Sequence, residues 1–533
     1  MSEFKLTARA RIVILTAVLA SLLEIIDTSI VNVSIPTMMG NLGATLDEIS
    51  WVVTGYIIAN AIVLPIAGWL GMQIGRKKYY TGCILLFTAA SVACGLAPNL
   101  GVLVLFRIVQ GFAGGALLPT SQALIQEQFP REKAGMANAL YGMSVMVGPT
   151  LGPTLGGYLT DNFGWRMIFN INLPLGIAAA MLAYAYIDDV DVMAGQRDGA
   201  TAGANTPRKR TPVDFVGLTL LALGVGSLQF VLERGQAEDW FSSGLIVIFT
   251  IAAVLAIPSF IWWELKTEHP IMNLRLYTHN ALRNGTLLMA ALGMFLYSLI
   301  FILPIFVNNV LGYDATQTGM LFIPGALVTA AMMPFIGGLL RKVDPRILIF
   351  IGLCLLEVTV VMMTGYNSST GYWSLFWPLV VRGLGMAFLF VPINTVVLGQ
   401  FSGATLGQVA GMMNLSRQLG GSIGIAALST VLVRRNAQNF LNLSRHVSLL
   451  NPTTVQTLRG TQANLAMKLS NQLGLGMPST GAIQALYFRV QKQVFIMSFN
   501  QMLFILFLAI ASALIPLVSL KITRKLSGPV DAH

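Results

Sequence analysis

The chain has 533 residues, 55% of them hydrophobic and only 10% charged, with a mean hydropathy of +0.72. A soluble protein carries about 25% charged residues, so this chain lacks the polar surface needed to face water and reads as an all-α, polytopic membrane protein. Its net charge of +11 would suggest nucleic acid in a soluble protein; here Lys and Arg are spread through short loops, where they set topology.

In chain order, Lys5, Arg9 and Arg11 precede an apolar run that mimics a signal peptide. No small-residue cleavage site follows, and Glu24, Asp27 and Pro36 lie inside the run, so it reads as an uncleaved first span. Within Leu22 to Pro36 (LLEIIDTSIVNVSIP), Glu24 and Asp27 stand three apart and share one face of a helix. The helical rise places them roughly 20–24 Å beyond Arg11, past the middle of a hydrocarbon core about 30 Å thick. An acid there costs about 2.5–3.5 kcal/mol on insertion scales, so it is expected to line a cavity or take a proton. A helix end reaching the headgroups is the alternative.

Fourteen spans are expected, near 12–35, 51–71, 79–97, 101–124, 136–159, 167–187, 215–232, 243–263, 284–307, 318–340, 347–364, 374–397, 408–432 and 494–519. An even number puts both termini on one side. With a cytoplasmic N-terminus the inner segments collect Arg76-Lys77-Lys78, Arg131, Arg208-Lys209-Arg210 and Arg341-Lys342, and the short outer loops hold almost no basic residues. The exception is a long outer loop, 433–493, whose stretches 454–473 and 480–493 have the spacing of amphipathic helices. A long ordered external loop is more often a binding element than filler.

The Gly-, Ala- and Thr-rich segment 188–213 reads as a cytoplasmic linker. The expected division is a six-helix bundle over 1–187, two additional spans over 214–264, and a second six-helix bundle over 265–533 that includes the outer loop. A repeat supports this. Pro65 recurs at Pro334, Arg107 at Arg382 and Gly135 at Gly411, all at a nearly constant spacing. Two halves in the same orientation, with a site at the midplane between them, are a recurrent transporter design.

Three motifs stand out. The inner turn from Gly68 to Lys78 (GWLGMQIGRKK) holds Gly68, Gly75 and Arg76; its glycines permit close packing. Span four places Arg107 in apolar surroundings, where a guanidinium needs an acid, water or carbonyls. Span five carries Gly148, Pro149, Gly152, Gly156 and Gly157, a run fit for close helix approach and bending, or simply a packing seam. Glu357 in span eleven is a further buried acid, and Arg382 and Arg417 are further buried cations, with Asn414 on the turn adjacent to Arg417. The 25 methionines suit a pliable pocket but are equally common as packing.

Together these motifs resemble the major facilitator superfamily, in particular its fourteen-helix drug–proton antiporter branch and the EmrB-type exporters. Gly68 to Lys78 resembles the superfamily loop signature, Arg107 to Gly111 the span-four signature, Gly148 to Gly157 the antiporter signature, and Asp27 to Pro36 the first-helix signature. Trp165 to Pro174, Arg417 to Gly424 and Leu228 to Ser243 add to the likeness. The resemblance implies two six-helix bundles and proton-driven efflux of hydrophobic, often cationic, compounds from a bacterial inner membrane. The implied partners are an EmrA-type periplasmic adaptor and a TolC-type outer-membrane channel, with 433–493 as the contact. One departure is Met72, which stands where the superfamily loop usually has an aspartate of a gating charge relay; Glu127 or Asp161 are the candidates to replace it.

Asp27 and Glu24 are the expected proton carriers, with Arg107 as modulator; the alternative for Arg107 is a cap on backbone carbonyls. Glu357, Asn32, Asn414 and Arg417 are the candidate cargo contacts. No His, Cys or Ser stands with a base in any loop, and Cys83, Cys94 and Cys354 show no metal spacing, so no catalytic centre, metal or cofactor beyond the coupling proton is expected. The competing expectation is a dedicated exporter of one metabolite, such as a siderophore or lipid-like compound.

Overall fold

A computed structural model describes residues 6–188, 212–447, 452–473 and 479–521. Nearly all of them are helical, and no strand occurs among them. Most of the 188–213 linker lies outside the described residues, as do 448–451 and 474–478 of the long loop.

The first set of helices is α1 (Ala8–Leu42), α2 (Leu46–Ile49), α3 (Trp51–Val63), α4 (Ala67–Ile74), α5 (Arg76–Gly95), α6 (Leu100–Glu127), α7 (Ala134–Phe163), α8 (Met167–Asn170) and α9 (Asn172–Tyr186). Then come α10 (Phe215–Arg234) and α11 (Gly244–Lys266). The last set is α12 (Asn280–Phe306), α13 (Ala315–Leu339), α14 (Pro345–Met363), α15 (Tyr372–Leu398), α16 (Ala404–Ser444), α17 (Pro452–Leu473), α18 (Ser479–Ser512) and α19 (Leu514–Ser519).

Local chemistry sets several boundaries. Thr7 caps α1 by accepting from the Ala10 amide at 3.2 Å, and Gly43 ends it in the left-handed conformation at φ +62°. Pro65 interrupts α3–α4 in a single 3-10 turn, since it offers no amide for the helical ladder. Gly75, at φ +99°, makes the turn into α5 that an L side chain rarely adopts.

Eleven helical segments among the described residues are long and apolar enough to cross a bilayer. The fourteen-span expectation also needs α5, α7 and α16; these are helices of 20, 30 and 41 residues, but they fall outside that set. Solvation by lipid explains the exterior. On α11, Leu245, Ile248, Ile251, Val254 and Leu255 are all exposed, a stripe that water would not tolerate. Trp373 and Trp377 at the start of α15 are exposed as well, the placement of an interfacial aromatic belt.

Stretches 454–473 and 480–493 are helical, but α16 runs on to Ser444 and α18 begins at Ser479, so much of 433–493 continues the flanking spans. The physical reason is that Val431 to Ser444 holds neither Gly nor Pro to stop α16. Asn439 of α16 then ties the two helices by donating to Ser498 Oγ at 3.0 Å.

Glycines seat the helices that carry the repeat. Against α1, Gly148, Gly152 and Gly156 of α7 meet Ile25, Ser29 and Ile30, leaving no room for a Cβ. The same seam recurs in the second half, where Gly424 of α16, the counterpart of Gly148, meets Ser298 and Met294 of α12. At the end of the molecule that carries Arg76 and Arg341, the two sets of helices close on each other through glycine. A Cβ on Gly68 would stand 2.6 Å from the Gln408 amide nitrogen, and one on Gly135 would stand 2.7 Å from the Gly337 carbonyl oxygen.

Candidate functional site

The first-span acids lie inside the protein. Asp27 is fully buried and Glu24 is 3% exposed, so neither points at lipid. The α7 glycine seam holds α1 in this rotation.

Asp27 is enclosed by groups from two other helices. Arg107 Nη1 of α6 lies 2.5 Å from Asp27 Oδ2, while Gln110 Nε2 of α6 and Asn172 Nδ2 of α9 each donate to Oδ1 at 2.9 Å. Arg107 also donates through Nε to the Val52 carbonyl at 3.0 Å, and its guanidinium lies 4.2 Å from the centre of the Tyr56 ring. Arg107 thus both pairs with the acid and caps a backbone carbonyl. The ring adds a cation–π contact in a site removed from water.

Glu24 is held differently. Asn60 Nδ2 of α3 donates to its Oε1 at 3.0 Å and the Tyr56 hydroxyl reaches the same oxygen at 3.5 Å, while Oε2 has no hydrogen-bond partner among the described residues. Arg417 of α16, from the other set of helices, makes no ion pair with it among the described residues. Arg417 Nη2 donates to Asn414 Oδ1 at 3.2 Å, and Nη1 to the Tyr297 hydroxyl at 3.3 Å. Asn414 in turn receives the Tyr141 hydroxyl at 3.1 Å and donates to Gln122 Oε1 at 2.8 Å; Gln122 Nε2 donates to Asn394 Oδ1 at 2.7 Å. This buried amide chain links α6 and α7 to α15 and α16. The hydrogen-bond partners of Glu24, Asn60 and Tyr56 of α3, belong to the first half, as do those of Asp27.

The four candidate cargo residues do not form one group. Asn414 and Arg417 sit together in the amide chain. Asn32 is exposed on α1, and Glu357 on α14 is partly buried with no hydrogen-bond partner among the described residues for either carboxylate oxygen. Of the two candidates to replace the missing loop aspartate, Glu127 meets Arg76 at 2.6 Å, while Asp161 is exposed and makes no ion pair among the described residues. Met72 packs against the core instead.

Sequence reasoning missed Gln110, Asn60, Tyr56, Gln122 and Tyr141 as partners. Gln110 was readable, one turn from Arg107 on the same face. The others are polar residues in apolar helices, and their partners are remote in the chain.

Two parallel sets of helices, a shared interior seam and acids buried in the first span define a multi-pass membrane transporter. The sequence pattern of the Major Facilitator Superfamily matches residues 17–425, and the chain belongs to that family. Within it the chain resembles the EmrB-type exporters. It is 34% identical over 506 residues to the multidrug export protein EmrB of Escherichia coli K12, covering 94% of each chain. It is 35% identical over 440 residues to the fatty acid resistance protein FarB of Neisseria gonorrhoeae, covering 82% of this chain and 84% of the relative. Among solved structures, the human organic anion transporter MFSD10 aligns with a TM-score of 0.57 at 15% identity, over 79% of this chain and 93% of that one. The proton:xylose symporter XylE aligns with a TM-score of 0.57 at 14% identity, over 81% and 90%. Both show the fold alone.

Proposed function

We propose that this protein exports hydrophobic and cationic compounds from a bacterial cytoplasm in exchange for protons, by alternating access. The observation that supports this most is the pair of buried acids on α1, one neutralised by Arg107 and the other with an oxygen that has no hydrogen-bond partner among the described residues. Relatives named as multidrug export proteins support the cargo class.

The proposed cycle follows from the cost of buried charge. A proton from the outer side neutralises Glu24 or Asp27, which lowers the penalty of burial and favours closure of that side. Release to the inside restores the charge, helped at Asp27 by the adjacent guanidinium of Arg107. A cationic cargo then competes for the free carboxylate. The membrane potential adds about 2.3 kcal/mol per charge per 100 mV. Fourteen spans with both termini cytoplasmic, and an adaptor contact on 433–493, complete the proposal.

The test uses proteoliposomes with the purified protein and an imposed pH gradient. Unrelated lipophilic cations should move out against their gradients, each in exchange for protons, and dissipating the pH gradient should stop them. Movement of one compound alone would overturn the multidrug reading; export indifferent to the gradient would overturn the coupling.

A further inference from the structure

The two halves repeat one device and leave out one part of it. In the first half the guanidinium of Arg107 lies 4.2 Å from the centre of the Tyr56 ring and is neutralised by Asp27. In the second half Arg382, the counterpart of Arg107 in the repeat, lies 5.3 Å from the centre of the Phe322 ring. Phe322 follows Tyr56 at nearly the spacing that relates Pro334 to Pro65. The arginine on its aromatic is present in both halves; an acid paired to it is present only in the first. Helices α12, α13, α15 and α16 contain no Asp or Glu, and Glu357 of α14, the helix packed on α15, makes no ion pair with Arg382.

Arg382 is a buried cation with no ion-pair partner among the described residues. Its residue is 5% exposed, and neither Nε nor Nη1 reaches a hydrogen-bond partner among the described residues. Among those residues no carboxylate lies within 4.0 Å of it. A side chain placed so is costly and points to a task, and a guanidinium fork matches the two oxygens of a carboxylate. The Phe322 ring beside it is an apolar neighbour.

We propose that Arg382 receives the carboxylate of an anionic amphiphile, so that the second half carries a cargo site of opposite sign to the acids of α1. This deepens the export reading and rests on it for the word cargo, but binding itself can be read without transport. The pairing has the chemistry of a monoanion on a guanidinium, for which a small inorganic ion is the other source.

The experiment uses the full chain in nanodiscs, in a chloride-free gluconate buffer, with decanoate, decanol and chloride as probes. Decanoate is expected to raise the melting temperature of the wild type saturably and decanol is not. Arg382→Gln should weaken the decanoate effect about tenfold or more, since a charge-assisted, two-point contact is lost. The ligand-free Arg382→Gln protein should melt at or above the wild type, because an unpaired buried charge has been removed. Should that variant fail to fold, Arg382→Lys, which keeps the charge and loses the fork, must weaken decanoate by about the same factor. Unchanged decanoate affinity in either variant would overturn the proposal, as would equal stabilisation by decanol. Chloride stabilising the wild type in place of decanoate would reassign the site to an inorganic ion and likewise overturn it.

Discussion

Replacing Arg107 with Leu isolates the energetics of the α1 site. The substitution removes the 2.5 Å pair with Asp27 Oδ2 and the bond to the Val52 carbonyl, but leaves the two amides that donate to Oδ1. Breaking a buried pair from one side costs about 3–5 kcal/mol, because the remaining charge stays in a medium that cannot solvate it. The surviving donors place the expected loss at the lower end, about 3 kcal/mol. At about 2 °C per kcal/mol for a large domain, that is about 6 °C in melting temperature. Removing both partners in Asp27→Asn/Arg107→Leu leaves no orphan charge, so at least half of the loss should return. Cys94, fully buried, becomes reactive only on unfolding, so a thiol-reactive dye reports the transition; exposed Cys354 and half-buried Cys83 are first changed to Ser to remove their background. A double variant as unstable as the single one would refute the claim that the two charges are coupled.

Other expectations follow from the same contacts. Gly135→Val places side-chain atoms where the Gly337 carbonyl lies, so spin labels on the Arg76 and Arg341 ends of the two halves should report a wider separation; an unchanged distance distribution would contradict the tight glycine closure. Asn414→Leu breaks the buried amide chain at its branch point and strands Gln122, Tyr141 and Arg417. It should destabilise the protein by about 1–3 kcal/mol in the same dye assay, and no shift would show that the chain contributes nothing. Deleting part of 452–473 should leave vesicle transport intact and weaken capture by an adaptor; retained capture removes that role from the loop.

The sequence exposes what depends on nearest neighbours and hides what depends on assembly. Glu24 and Asp27 could be placed on one helical face because three residues make nearly one turn. Their separate surroundings could not be read, since Asp27 meets Arg107 and Asn172 while Glu24 meets Tyr56 and Asn60, all from other parts of the chain. The repeat announced itself through Pro65, Arg107 and Gly135 and their later counterparts, and the glycine seams of α7 and α16 are its packing expression. The replacement for the missing loop aspartate was open between Glu127 and Asp161, and only the fold brings Glu127 to Arg76. The expected span 408–432 left the end of α16 open, because a change from apolar to polar residues ends a span without ending a helix.

Exchange of Asp27 and Glu24 for their amides, singly and together, tests the central claim most directly, with cation efflux and proton uptake followed in the same proteoliposomes. Asp27→Asn/Glu24→Gln is expected to insert and fold normally yet lose pH-driven efflux and its proton uptake together. Full coupling in the doubly neutral protein would place the proton elsewhere and contradict the account.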